Sequence, residues 1–189
     1  MITIFIMSKI QNNYKSKFPR RGTGGFFLIG FMGSGKNYWG KKWADASGYD
    51  FFDIDKIVEE QQGKTISEIF AKQGEDHFRN LETIVLRNFR NKNNAIVATG
   101  GGTPCFNDNI TWMNKNGTCI YLQSSPDNIL KRLVSEKEKR PLIKNLKDDE
   151  LLFYITEKIK ERELFYNQAK IILDVDDLSE NYIPDMLIL

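Results

Sequence analysis

Several groups of residues in this chain have the types and spacing that phosphate and hydroxyl chemistry requires. Gly30 to Lys36, "GFMGSGK", fits the pattern G-x-x-x-x-G-K directly after the apolar run "FFLI". In such a loop the glycines let backbone N–H groups curl around phosphate oxygens, and the next helix points its positive end at them. The lysine then neutralises β- and γ-phosphate charge. Gly30, Met32, Gly33, Ser34, Gly35 and Lys36 are therefore candidate nucleotide contacts, and the plain alternative is a tight strand-to-helix turn with a surface lysine. After the lysine this pattern usually has Ser or Thr, whose hydroxyl goes to Mg²⁺; here Asn37 stands instead. Its carbonyl oxygen lies one bond further out, so it reaches a cation only after displacement or through a water. Tyr38 and Trp39 are bulky residues for the first turn of a helix beneath a nucleotide.

Further along, "FFDID" presents Asp53 and Asp55, and a strand period of two would place both carboxylates on one face. One can hold the shell of a cation while the other accepts a proton from an attacking hydroxyl. A charged cap between strand and helix is the simpler reading. "TGGGTP" offers the backbone of Gly100, Gly101 and Gly102 without side chains in the way. Arg79 and Glu82 lie three apart on an expected helix and share its face, and Arg162 lies on a long helix near the end. Exposed salt bridges are the commoner fate of such charges. His77, the only histidine, reads as a surface or spacer residue, and Cys105 and Cys119 as reduced core thiols, since they lack metal or redox spacing.

The elements that must position these groups follow from hydrophobic period. Apolar runs at "FFLIG", "YDFFDID", "AIVATGGG", "TCIYLQ" and "KIILDV" read as five strands. Between them lie helices from about Gly35 to Ser47, from the Thr65/Glu68 capping box past Gly74, over "NDNITWMNKNG", after Ser125–Pro126, and over "DDELLFYITEKIKERELFYNQA". The segment after the last strand is expected to be helical. Alternating strands and helices predict a three-layer α/β/α fold on a parallel five-stranded sheet, with ligands at the carboxyl ends of the strands. Of 189 residues, 41% are hydrophobic and the net charge is +2. That supports one globular domain, 26–189, and gives no charge-based case for a nucleic-acid or membrane partner. The basic, Gly-rich stretch before it, within residues 1–25, is expected to be a tail. No apolar run is long enough for a membrane span, so a cytoplasmic protein is expected.

The order of these motifs resembles the shikimate kinase family, small P-loop kinases of the nucleoside-monophosphate kinase type. "FFDIDKIVE", "ISEIFAKQGEDHFRNLE", "ATGGGTP", "KRPLI" and "KERELFY" carry the resemblance, which spans nearly the whole chain beyond the tail. It implies ATP and Mg²⁺ as cofactors and shikimate as acceptor, in a monomer with a mobile lid over about residues 132–147. Lys36 would contact the ATP phosphates together with the loop, Asn37 and Tyr38. Asp53 would help hold magnesium. Asp55 would bind and orient the hydroxyl that is phosphorylated. Arg79 and Arg162 would clamp the substrate carboxylate beside Gly100 to Gly102, with Glu82 bracing an arginine and Phe70 and Phe78 walling the ring. Arg140 would reach the phosphates from the lid, and Arg132 would stack on adenine. Asn37, Tyr38 and "RELFY", which lacks the usual proline, depart from the family pattern, and the lid is slightly longer. A kinase for another hydroxylated acid, or a nucleotide-binding module with an impaired metal site, fits the same motifs.

Overall fold

The protein is described by a computed structural model over residues 24–137 and 143–188. The expected tail up to residue 23 lies outside the described residues, as do Arg140 and the rest of 138–142 in the expected lid. Chain order is β1 (Gly25–Ile29), α1 (Lys36–Ser47), β2 (Asp50–Asp53), α2 (Ile54–Gln62), α3 (Ile66–Arg87), β3 (Ala95–Ala98) and a 3-10 turn (Thr103–Cys105). It continues with α4 (Asn109–Asn116), β4 (Gly117–Gln123), α5 (Pro126–Val134), α6 (Asp148–Tyr166), β5 (Ile171–Asp174) and α7 (Asp185–Ile188).

The strands form one parallel sheet in the order β2-β3-β1-β4-β5. From β1 the chain crosses to the edge strand β2 and returns to β3 beside β1, then passes to β4 and β5 on the other side. The carboxyl end of β1 is therefore the switch point where such sheets open a crevice. The central strands are buried on both faces, which is why they read as unbroken apolar runs. Their side chains alternate between two cores. Phe27, Ile29, Val97, Cys119 and Tyr121 pack with residues of α2, α3 and α4, while Leu28, Ile96, Ile120 and Leu122 pack with Trp39, Trp43 and Ala44 of α1.

Local chemistry sets the helix ends. Thr65 and Glu68 form the expected capping box at α3, and Ser125 accepts from the Asn128 N–H ahead of Pro126. Inside α3, Gly74 has φ 83° and ψ 172°, a kink that a residue with a Cβ would resist. In α1 a Cβ on Gly40 would lie 2.6 Å from the Phe51 ring and 2.9 Å from Leu28, so a glycine is what lets α1 lie close on the sheet. Trp43 is fully buried there, and its Nε1–H donates to the Tyr182 carbonyl at 2.9 Å.

Three expectations need correction. β2 ends at Asp53, so Asp55 lies in the first turn of α2 and the two carboxylates do not share a strand face. The reason is that the Asp53 side chain caps α2, accepting from the N–H groups of Asp55 and Lys56, and this turns the chain immediately. Among the described residues after β5 the chain is mostly irregular, with α7 helical. It is held because Val175 and Leu187 enter the core beside α1. Of the two thiols, Cys119 is buried in the core but Cys105 is only half-buried in the turn after the glycines.

Candidate active site

The phosphate-loop sequence has the backbone its glycines require. Gly30, Gly33 and Gly35 have φ of 142°, 78° and 89°. A Cβ on Gly30 would fall 2.6 Å from the Leu122 carbonyl, so β4 forbids any other residue there. Lys36 is buried, and its Nζ donates to the Gly30 and Phe31 carbonyls at 2.8 Å each. Ser34 is buried as well, and its hydroxyl has no hydrogen-bond partner among the described residues. A loop of left-handed glycines around an enclosed lysine and an unsatisfied hydroxyl suits an anion. Trp39 now has a physical account: its indole lies against Gly35 from below and packs on Trp43 at 5.6 Å, forming the floor of the loop. Tyr38 stands outside at 55% exposure, edge-on to Trp39, with the Lys42 ammonium over both rings.

Opposite the loop, the triple glycine gathers the acceptor side. A Cβ on Gly100 would collide with Glu82 Oε1 and lie 2.7 Å from Asp55 Oδ1. On Gly101 it would lie 3.3 Å from both Arg162 Nη1 and the Met32 N–H nitrogen, and on Gly102 about as close as 2.6 Å to the Arg79 guanidinium. The three residues thus leave room for four side chains and for the phosphate loop itself. Tyr166, one helical turn after Arg162, fixes this ribbon by donating its hydroxyl to the Gly101 carbonyl at 2.6 Å. The Arg162 guanidinium lies 5.5 Å from the centre of the Phe31 ring.

Arg79 and Glu82 are a buried pair, contrary to the exposed salt bridge such charges usually make. Arg79 Nη1 donates to Glu82 Oε2 at 2.7 Å, and Nε and Nη2 donate to Glu75 Oε1 at 3.1 and 2.8 Å. Those bonds spend three of the five N–H groups and leave two for a further acceptor such as a carboxylate. Phe78, Phe70 and Phe106 surround the guanidinium at 5.3, 5.9 and 4.8 Å. Glu82 also accepts a hydrogen bond from the Thr103 hydroxyl. Burial pushes the Glu82 carboxyl up, while Arg79 and Thr103 pull it down. Burial works against the Arg79 charge, yet Glu82 and Glu75 more than offset it and raise its pKa.

Asp55 is, with Glu82, a carboxyl on the acceptor side that burial pushes up. Burial first, then the charges of Glu82 and Asp53, push it up to about 7, against the pull of Lys36 and Arg79. Its Oδ1 is enclosed and accepts no hydrogen bond among the described residues. A carboxylate poised near neutral pH beside a phosphate loop is suited to accept a hydroxyl proton.

Asn37 and Asp53 meet on the nucleotide side, where Asn37 Nδ2 donates to Asp53 Oδ2 at 2.6 Å. Their oxygens are the hard donors that Mg²⁺ takes alongside water and phosphate, so the residues present fit that ion. Arg132 lies across the outside of the loop, where Nη1 donates to the Gly33 carbonyl and to Ser124 Oγ at 3.2 Å each, and Nη2 donates to Asp176 at 3.1 Å. Asp176 also accepts from Ser124, from Ser125 Oγ and from the Ser125 N–H; burial opposes its charge, but these bonds hold the carboxyl well below the usual range.

Sequence reasoning missed Glu75, Thr103, Tyr166 and Asp176. Glu75 and Tyr166 were findable, each four residues along a helix from a chosen arginine, and Thr103 directly follows the glycines. Asp176 meets its partners only through the fold. His77 is half-buried, with Nε2 enclosed.

Known proteins match this arrangement. The family model for shikimate kinase matches residues 32–188. A shikimate kinase of Phocaeicola vulgatus is 40% identical over 154 residues, 82% of this chain and 88% of that protein. The crystal structure of shikimate kinase from Bacteroides thetaiotaomicron superposes with a TM-score of 0.80 at 38% identity, covering 85% of this chain and 91% of the other. Shikimate kinase from Acinetobacter baumannii, solved in complex with shikimate, superposes with a TM-score of 0.75 at 29% identity over 82% of this chain and 85% of that one. With the loop, the enclosed acid and the two arginines collected around one glycine ribbon, the chain belongs to the shikimate kinase family.

Proposed function

We propose that this protein transfers the γ-phosphoryl group of ATP to the 3-hydroxyl of shikimate, giving shikimate 3-phosphate and ADP. The observation that carries the reading is the glycine ribbon, where Asp55 and Glu82, Arg162 with the loop backbone, and Arg79 meet at three successive residues. Donor and acceptor then lie on two sides of one cavity, and catalysis is positioning and charge neutralisation.

The loop N–H groups and Lys36 hold the phosphates. Arg79 and Arg162 hold the acceptor's carboxylate, with the aromatic rings around Arg79 excluding water, so that the 3-hydroxyl faces Asp55. Asp55 accepts the hydroxyl proton while the hydroxyl oxygen bonds to the γ-phosphorus and the bond to the β,γ-bridging oxygen breaks. Glu82, buried and bonded to Thr103, keeps Arg79 charged and oriented. Mg²⁺, when bound, neutralises charge on the β- and γ-phosphates, and Asn37 and Asp53 are the residues that would hold it through its shell. One chain supplies every group named, so the protein acts as a monomer, and turnover per chain is independent of protein concentration; a cytoplasmic location is part of the same proposal. Among the described residues no helix is long and apolar enough to cross a membrane.

A coupled assay of ADP release with ATP, Mg²⁺ and shikimate tests the reading. Shikimate-dependent release is expected. Folded protein that binds ADP but releases none in response to shikimate would reject it. An acceptor lacking the carboxylate should lose most affinity.

A further inference from the structure

Asn37 lies in the first turn of α1 and is exposed, except that its Nδ2 is bonded to Asp53 Oδ2. That bond fixes how the amide is turned, because an ionised carboxylate only accepts, and the opposite orientation would set two oxygens against each other. Asp53 is committed on its other side as well, since Oδ1 accepts from the N–H groups of Asp55 and Lys56 at 3.0 and 3.4 Å. The acid is therefore held in place from both ends. The atom of the amide that this bond leaves over is the Asn37 carbonyl oxygen.

A serine or threonine hydroxyl does two things with one oxygen: it gives its proton to the acid and a lone pair to the cation. Asn37 divides them between two atoms, the N–H serving Asp53 and the carbonyl oxygen serving the cation's shell. The tie to Asp53 survives the substitution. The reach changes, because the amide oxygen stands further from the backbone than a hydroxyl.

We propose that Asn37 sets the divalent-cation preference of this chain, shifting the nucleotide-linked cation from a strict preference for Mg²⁺ towards the larger Mn²⁺. The inference rests on the nucleotide reading above. Mg²⁺ demands near-ideal octahedral geometry and gives up water reluctantly, so an oxygen on a longer arm anchored at Asp53 penalises it most. Mn²⁺ takes the same oxygen donors and tolerates their displacement better.

Calorimetric titration of ADP into the full chain with EDTA, with Mg²⁺ and with Mn²⁺ tests this, comparing wild type with Asn37→Thr and Asn37→Ser. Two hydroxyl variants are used so that one misfolding leaves the other, and circular-dichroism melting checks both. ADP affinity in EDTA gives each protein its own metal-free baseline, against which its two metal-assisted affinities are taken. The ratio of Mn²⁺-assisted to Mg²⁺-assisted affinity is expected to be larger in wild type by roughly fivefold or more. Equal ratios in wild type and the folded variant, or a wild type that favours Mg²⁺ more, would overturn the inference while leaving the nucleotide reading intact. A wild type that binds no ADP under any of the three conditions would overturn both.

Discussion

On the nucleotide side the groups that would meet phosphate are mostly main chain, set by glycines at positions 30, 33 and 35, and the side chain at 37 is exposed. On the acceptor side they are ionisable side chains packed in the interior, with Arg79 and Glu82 both buried and bonded to each other, and Glu82 accepting from Thr103 as well. A cradle made of backbone depends on the path of the chain, so a side chain beside it can change while the cradle stays. A cradle made of buried charge depends on every partner, because removing one leaves another uncompensated in a poorly solvating place. Of the departures from the family pattern, Asn37 and Tyr38 fall on the tolerant side. The third, "RELFY" without its proline, adjoins Arg162, but the acceptor-side charges themselves, the arginines, Glu82 and Asp55, all match.

The largest expected effect is on chemistry at the acceptor side. Asp55→Asn should lower kcat by about 10²- to 10⁴-fold, the range for losing a positioned base, while ADP binding is unchanged. A loss smaller than tenfold in a steady-state assay would remove Asp55 from the proposed role. Next comes Glu82→Ala, which leaves Arg79 buried against Glu75 alone. Urea denaturation should show a loss of about 3–5 kcal/mol, the cost of breaking a buried pair. A loss under about 1 kcal/mol would place that pair with ordinary surface bridges and erase the contrast. The smallest effect is expected across the cavity, where Asn37→Ser should move stability by no more than about 0.5 kcal/mol, as exposed substitutions do. A larger drop in the same denaturation experiment would mean that the Asn37–Asp53 bond holds the fold as well as the site.

Much of this was legible because it is local. The five strands showed as apolar runs, the capping box at Thr65 follows from two residues three apart, and Arg79 and Glu82 share a helix face by spacing alone. What failed was where local rules compete. A period of two through "FFDID" extends the strand to Asp55, but Asp53 prefers to cap a helix, and capping wins because it satisfies two otherwise open N–H groups. The segment after β5 is expected to be helical, yet ahead of α7 it lies as irregular chain, with Val175 buried beside α1 and Leu178, Tyr182 and Ile183 packed against the same core. The floor that Trp39 makes beneath Gly35 is a matter of helical spacing, four residues from Gly35 and four from Trp43, and was as findable as Glu75 and Tyr166. The clasp of Arg132 on Asp176 joins residues 44 apart, and no spacing rule reaches it.

The raised Asp55 carboxyl gives the account its sharpest test. With a folded-state pKa of about 7 against an ordinary value of 3.8, the native chain binds more protons than the unfolded chain between those values, so this group lowers stability as pH rises through that window. A base must be ionised, so activity follows the opposite direction. The decisive measurement is the pH dependence of kcat/KM for shikimate in wild-type protein. The account predicts an acidic limb with its midpoint near 7, activity falling tenfold per pH unit below it; a profile that stays flat down to pH 5 at full activity would contradict it.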